Sequence, residues 1–533
     1  MKTKTLYIVF SLFLFVLVGC QKFLKEEVYS SLTPNNFFKT ENDLKQAMAG
    51  CYEILGAPGA QYRWYYTFNF IALTEYPTEI ACAELSNNDR KALDQYTFNS
   101  SHPYIQQTWS AIYSGIARAN AVIKYAPNVN MDATAKNSMI GEARFLRALH
   151  YFNAVRFWGS VPLITDIIPS ADQALLPRAP VDSVYAQIVK DLKFAEANII
   201  QNVASTSELG TAGKVAAKLM LADVYLNMAG NDYSSANWAL AATKASEVMS
   251  GYDSFYGGTG DVKLMDSVSS WGAGGLWNYD NKNSKEFIFQ RQASSLFNPS
   301  VHQPFFFASN SYQSEFWGTG SFSIEPAFYL QFDSIRPNNY DKRRDLICNK
   351  YKYIKPENIG KPDAICGFPG LLKYWNKTNY SFSEQFDNPW PIYRYAEALL
   401  IYAEALNEAK TNPSTALGTT GTAYDALNRV RKRAGLPNLS GLTRENFRAA
   451  VWKERLLEFF VEGKRLFDLR RTKTLVNVMN NSDRNGGFNP TKRDYSGHPI
   501  SKLGITLDAH FLVYPIPATE ISANPNCTQN PGY

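Results

Sequence analysis

Phe145-Leu146-Arg147-Ala148-Leu149-His150-Tyr151-Phe152, continued by Asn153-Ala154-Val155-Arg156-Phe157-Trp158-Gly159-Ser160-Val161-Pro162-Leu163, is the stretch from which the architecture is read. Phe145, Leu149 and Phe152 recur at i, i+4 and i+7, with Ala143 and Leu146 beside them on one broad apolar face. That spacing predicts a helix over Ala133–Trp158, stopped by Gly159-Ser160-Val161-Pro162. His150 sits between Leu149 and Tyr151, where a packed core histidine is expected rather than a catalytic base.

Working outward, helical patterning comes in pairs. Ile105–Tyr125 precedes the quoted helix across Pro127. Val181–Ile200, with Pro180 ahead and Asp182 placed to cap, leads to Thr211–Met228. Ser234–Met249 is a further helix, after which regular helical signal is largely absent for about 140 residues. It returns at Pro391, a favourable first-turn residue, and runs to Glu408. Tyr424–Ala434 ends at Gly435-Leu436-Pro437, and Thr443–Phe460 follows. Pairs of about 34 residues predict a mostly α chain of tetratricopeptide-like repeats, with 234–249 meeting 391–409 across the insertion. Gly251–Pro389 mixes glycines with Trp271, Trp277, Tyr312, Phe316 and Trp317 in no helical period. It reads as an irregular, loop-rich lobe where a ligand site is expected.

The N-terminus carries an address. Lys2 and Lys4 precede an apolar run, Leu6–Val18, broken only by Ser11. As a helix it spans roughly 20 Å, short of the ~30 Å bilayer core, which is the length of a secretory leader. Leu17-Val18-Gly19-Cys20 resembles a bacterial lipobox, so Cys20 is the expected lipidation site. Two or more acyl chains at about 0.8 kcal/mol per methylene make a lasting anchor. The expected division is a leader over 1–19, a helical region over 20–250, the insertion over 251–390, and a helical region over 391–533. The last completes the same domain.

Bulk chemistry excludes several classes. The formal charge of +6 falls to +4 without Lys2 and Lys4, which is no nucleic-acid footprint. Aromatic content is 14%, a supply of rings for both core and recognition. Six cysteines include no pair at metal or redox spacing, and Cys348–Cys366 is the plausible bridge. No phosphate-cradling loop, HExxH or GxSxG occurs, and five histidines are scattered, so neither metal nor cofactor is expected. Glu397, Glu404 and Glu408 share a helix, with Arg394 nearby and Arg429, Arg431 and Arg433 on the next; helix-to-helix ion pairs explain them better than hydrolysis. Glu454, Arg455, Glu458, Glu462, Lys464 and Arg465 read as a solvated, salt-bridged face.

At this point the chain resembles the SusD/RagB family of nutrient-binding outer-membrane lipoproteins. The quoted helix matches the family's signature. Four more segments follow in the family's order: Glu286-Phe287-Ile288-Phe289, Arg394–Glu408, Asn428–Pro437 with Glu454–Arg471, and Tyr514-Pro515-Ile516-Pro517 through Asn530-Pro531-Gly532-Tyr533. Cys527 departs from the family's leucine, and Phe23-Leu24-Lys25-Glu26-Glu27 only approximates its charged post-lipid stretch. The resemblance implies a non-enzymatic protein facing the cell exterior. It binds oligosaccharide, or in some members peptide, over a SusC-type TonB-dependent transporter; a lipid-anchored glycosidase is the remaining alternative. The ligand site implied combines the insertion with the loop Glu84–Arg90. Trp277, Tyr312 and Trp317 are the rings expected to be displayed, since Gly, Ser and Asn surround them. Asn87 and Asn88 are expected to meet sugar hydroxyls as donors and acceptors, and Arg90 to offer a planar fork.

Overall fold

In the computed structural model the quoted stretch is the second half of one helix, Ala133–Trp158, with the boundaries read from sequence. Asp132 caps it by accepting from the Ala135 N–H (2.8 Å), and Gly159 ends it at φ +73°, a conformation that glycine adopts without strain. The structure describes residues 37–56, 65–83, 87–204, 208–270, 274–294, 322–329, 331–332, 340–348, 370–374, 387–410, 412–482 and 505–533. Cys20, Tyr312, Trp317 and Cys366 lie outside them.

The helices are α1 Glu41–Glu53, α2 Phe70–Glu75, α3 Asn88–Asp94, α4 Pro103–Tyr125, α5 Ala133–Trp158, α6 Val181–Asn198, α7 Lys214–Ala229 and α8 Asn237–Tyr252. They continue as α9 Pro326–Tyr329, α10 Tyr395–Lys410, α11 Ala423–Arg433, α12 Arg444–Glu458, α13 Arg465–Arg471, α14 Leu475–Asn481 and α15 Ala518–Ala523. The strands are β1 Ala81–Ala83, β2 Val161–Pro162, β3 Arg178–Ala179, β4 Phe287–Arg291, β5 Phe322–Ile324, β6 Ile347–Cys348, β7 Gly370–Leu371 and β8 Trp390–Arg394. They pair as antiparallel ribbons, β1 with β5, β2 with β3, β4 with β8 and β6 with β7.

Packing follows the order of the chain. α4 lies on α5, α5 on α6, α6 on α7 and α7 on α8. α8 then packs on α10, across the insertion, and α10 on α11 and α12. This is a tetratricopeptide-like helical array, in which each helix buries its apolar face only by stacking on the next. Arg147 of α5 ties three helices together, pairing with Asp191 of α6 (2.7 and 2.8 Å) and Asn120 of α4 (2.7 Å). At the α4–α5 crossing, Gly115 leaves room for His150, and a Cβ there would overlap the imidazole. His150 is fully buried, burial pushes its pKa down to about 3, and it stacks at 5.9 Å on Tyr65. It is the packed core histidine expected.

Three local expectations need correction. Pro391 opens no helix: it sits in β8 opposite Gln290 of β4, and α10 starts only at Tyr395. A two-stranded ribbon leaves one edge of each strand unpaired, so a residue without an N–H is tolerated there. Asp182 does not cap α6; Pro180 holds the cap position without a side-chain bond, and Asp182 lies in the first turn. The stretch from Glu454 to Glu462 is not a solvated face. Glu454, Arg455, Glu458 and Glu462 are each at most 3% exposed.

Those charges belong to a buried network that gathers the distant sequence motifs. Arg394, at the end of β8, pairs with Glu286 (2.9 Å), Glu458 (2.7 Å) and Glu462 (2.7 Å). Arg433 of α11 reaches Glu286 (2.6 Å) and Glu458. Arg343 joins Asp341 (2.7 Å), Glu454 (2.7 Å) and Glu458 (3.1 Å), while Lys373 meets Glu462 at 2.6 Å. Burial pushes the Glu458 carboxyl up, but the guanidiniums of Arg433, Arg394 and Arg343 outweigh it and hold it well below the usual range. The insertion therefore also supplies core, through Asp341, Arg343 and Lys373.

The network borders a strained turn after α12. Val461 sits at φ +54°, rare for a β-branched residue, and Gly463 at φ +75°. Its backbone is held by others: Lys373 Nζ donates to the Phe460 carbonyl (2.9 Å) and Tyr374 Oη to that of Val461 (2.7 Å). The Gly463 N–H donates to Glu75 of α2 at 2.7 Å.

Finally, the segment 514–533 clasps the end of α5. The Tyr514 N–H donates to the Phe157 carbonyl (2.7 Å), and Tyr514 Oη donates to that of Leu73 (2.6 Å). Asn530 Nδ2 donates to the Trp158 carbonyl (3.0 Å). Cys527 is buried within this clasp.

Candidate functional site

The β1–β5 ribbon positions the candidate site. Its register pairs Ala83 with Phe322, so one end of the ribbon carries the chain onward to Asn87 and receives it from the direction of Trp317. Asn87 caps α3, accepting from the Arg90 N–H at 3.0 Å. Its amide oxygen thus already accepts one bond from the helix. Asn88 is exposed.

Arg90 is half-buried, with its guanidinium 5.1 Å over the Phe68 ring. The fork is stacked on an aromatic floor instead of standing free in solvent. Tyr104 meets Phe68 edge-on at 5.4 Å, and His102 Nε2 donates to the Asp89 carbonyl at 2.9 Å. Burial lowers the His102 pKa, so the ring stays neutral and keeps that bond at physiological pH. The turn from Asn87 to Arg90 is therefore a short capped helix start fixed from beneath. Its exposed polar tip is Asn88.

Trp277 is not a displayed ring. It is 8% exposed, edge-on to Phe287 (5.8 Å) and Tyr374 (5.2 Å), with Lys373 Nζ 4.5 Å from its centre. Residues remote in sequence close over it. The adjoining crevice, lined also by Tyr279, Lys282 and Asn388, offers about 20 Å³, room for a water and not for a sugar. Tyr312 and Trp317 lie outside the described residues.

The helix carboxylates are spent on ion pairs, though with partners other than those nearest in sequence. Glu404 accepts from both Nη atoms of Arg471 (2.7 and 2.8 Å) and from Trp452 Nε1 (2.8 Å). Glu408 is held by Arg448 (2.6 Å) and Arg444 (3.0 Å), and Glu397 by Lys464 (2.9 Å). Arg429 pairs with Asp253 and Arg431 with Glu454. Among the described residues, no group of three or more His, Cys, Asp or Glu is arranged to hold a metal ion, and no helix is long and apolar enough to cross a membrane. Cys51 and Cys527 are buried free thiols and Cys82 is buried; Cys366, of the expected Cys348–Cys366 bridge, falls outside the described residues.

Two family models match in succession. One is described as "Starch-binding associating with outer membrane" and covers residues 22–226; the other is the SusD family and covers 338–533. SusD-like protein P38 of Formosa agariphila is 28% identical, over 97% of this chain and 96% of that one. The starch-binding protein SusD of Bacteroides thetaiotaomicron is 24% identical over 86% of each. The crystal structure of a SusD superfamily protein from Parabacteroides distasonis aligns with a TM-score of 0.75 and 27% identity, covering 94% of this chain and all of that one. These matches span both halves of a helical array whose buried core is built from the motifs quoted above. The chain belongs to the SusD/RagB family.

Proposed function

We propose that this protein is a cell-surface lipoprotein, anchored to the outer membrane through Cys20. It binds oligosaccharides and passes them to a SusC-type TonB-dependent transporter. The observation that carries the reading is the nature of the relatives: the matched models and proteins include starch-binding members that associate with the outer membrane. The β1–β5 ribbon supports the location of the site. It brings the Asn87–Arg90 turn to the end of the strand that Trp317 precedes.

In this reading the insertion contributes Trp317 and Tyr312 as platforms for the C–H face of a sugar. Asn88 and Arg90 serve the hydroxyl edge. One platform with a few hydrogen bonds fits micromolar to millimolar binding, about −8 to −4 kcal/mol. Isothermal titration against a panel of plant, algal and microbial oligosaccharides tests it. Trp317→Ala should weaken the best ligand at least about tenfold, about 1.4 kcal/mol, with an unchanged melting temperature. No binding to any glycan, or selective binding of peptides, would overturn the reading. Purification in mild detergent should also recover a barrel protein, since a permanent complex buries upward of roughly 2,000 Å².

A further inference from the structure

The β1–β5 ribbon has a second end. There Ala81 pairs with Ile324; Glu79 lies two residues before the one and Gln331 seven after the other. Three residues make the ribbon about 10 Å long. Beyond this end lies a cavity of about 270 Å³ between α12, α13 and α14, to which Gln331 also contributes. That is just under the ~300 Å³ at which small-molecule pockets begin, so it suits one compact unit and not a chain.

Its chemistry is that of a sugar site. Trp452 forms one wall, and its ring is held in place because Nε1 donates to Glu404, itself clamped by Arg471. Such a platform loses little freedom when a ligand stacks on it. Leu456 and Val478 extend the apolar surface. The lining also holds hydrogen-bonding groups of both senses. Gln331 offers an amide and Lys453 an exposed ammonium. Thr472 Oγ1 donates to the Asp468 carbonyl (2.7 Å), so the 2.8 Å contact with Thr474 is donated by Thr474, whose oxygen keeps its acceptor capacity. Of the ionised groups in the wall, Arg465 is paired with Glu79 and Asp468 with Arg455 and Arg471, which leaves Lys453 as one exposed ammonium. A neutral ring with an apolar face and hydroxyl edges, one of which can accept from that ammonium, matches the lining.

We propose that this cavity is a second carbohydrate site, taking a single neutral pyranose unit on Trp452. The inference rests on the glycan-binding reading above but concerns a different place on the molecule. The test is fluorine NMR on the full chain labelled with 5-fluorotryptophan, the Trp452 signal being assigned by its loss in Trp452→Phe. Titration with glucose, galactose and mannose should move that signal saturably for at least one sugar. Val478→Trp, which fills the cavity, should abolish the shift. The double variant Thr474→Ala with Gln331→Ala should weaken it at least about tenfold at unchanged melting temperature, which keeps the test valid if Val478→Trp fails to fold. If oligosaccharides move the Trp317 signal while no sugar moves that of Trp452, the second site is refuted and the first reading stands. If no carbohydrate moves any signal, both fall.

Discussion

Arg394→Ala should destabilise the protein by about 3–5 kcal/mol, the cost of breaking a buried ion pair by removing one partner. Arg394 is 1% exposed and faces Glu286, Glu458 and Glu462. Without its guanidinium, Glu286, Glu458 and Glu462 stay buried beside Arg433, Arg343 and Lys373, of which Arg343 also pairs with Asp341 and Glu454. Breaking the exposed pair of Arg118 with Glu53, whose side chains are 38% and 48% accessible, should cost under about 1 kcal/mol. Denaturant titration of both variants measures the contrast, and similar losses would refute the assignment. The pH dependence has a definite sign. Glu458, Glu462 and Asp468 have pKa values depressed in the folded state, Asp468 to about 2. Each stabilises the fold fully above its unfolded value near 4 and loses that contribution as pH falls through the depressed value. Wild-type stability should thus fall progressively below about pH 4.

Glu75→Gln should act in the opposite sense. Glu75 is fully buried, and burial raises its pKa to about 8 despite the Gly463 N–H and the nearby Lys373. A raised folded-state value stabilises below the unfolded pKa near 4.5, and that contribution is lost as pH climbs toward 8. Protonated glutamate and glutamine have the same shape, and either can accept from Gly463. At pH 5 the variant should match wild type. By pH 8 it should be more stable, by a difference on the order of several kcal/mol. Thermal melts at the two pH values decide the matter: a gap that does not change with pH would mean that Glu75 is ionised in the fold.

The contrast between these residues marks what was legible in the sequence. Helix α5 was readable to both ends, because its cap, its apolar period and its glycine stop are all local. The pairing of α8 with α10 was readable from repeat logic, although 142 residues separate them. The charges of α12 were misread because their partners are remote. Arg343 and Glu286 lie more than 100 residues before Glu458, and no local rule distinguishes a solvated charge run from half of a buried network. Trp277 was misread for the same reason. Its flanking glycine and asparagine describe a loop, but Lys373 and Tyr374 close over it from about 100 residues away. At the candidate site, the union of the loop Glu84–Arg90 with the insertion was available only as an expectation from the family resemblance. The pairing of Ala83 with Phe322 is a register, and three-residue strands carry too little pattern to reveal one.

The clasp made by 514–533 has a consequence for the life of the chain before it functions. Tyr514 bonds to Leu73 across 441 residues, and Asn530 to Trp158 across 372. Contacts of such separation pay their loop-closure entropy late, and a domain dominated by them folds slowly. The hydrogen bonds that seal the end of α5 are supplied by residues more than 350 positions later in the chain. A chain without those residues leaves that end of α5 open. A chain stopped after Val513 should be cleaved readily at 158–160 by limited proteolysis, whereas the full chain should resist. The segment 514–533 is thus a latch on α5 that only contacts of very long sequence separation can close.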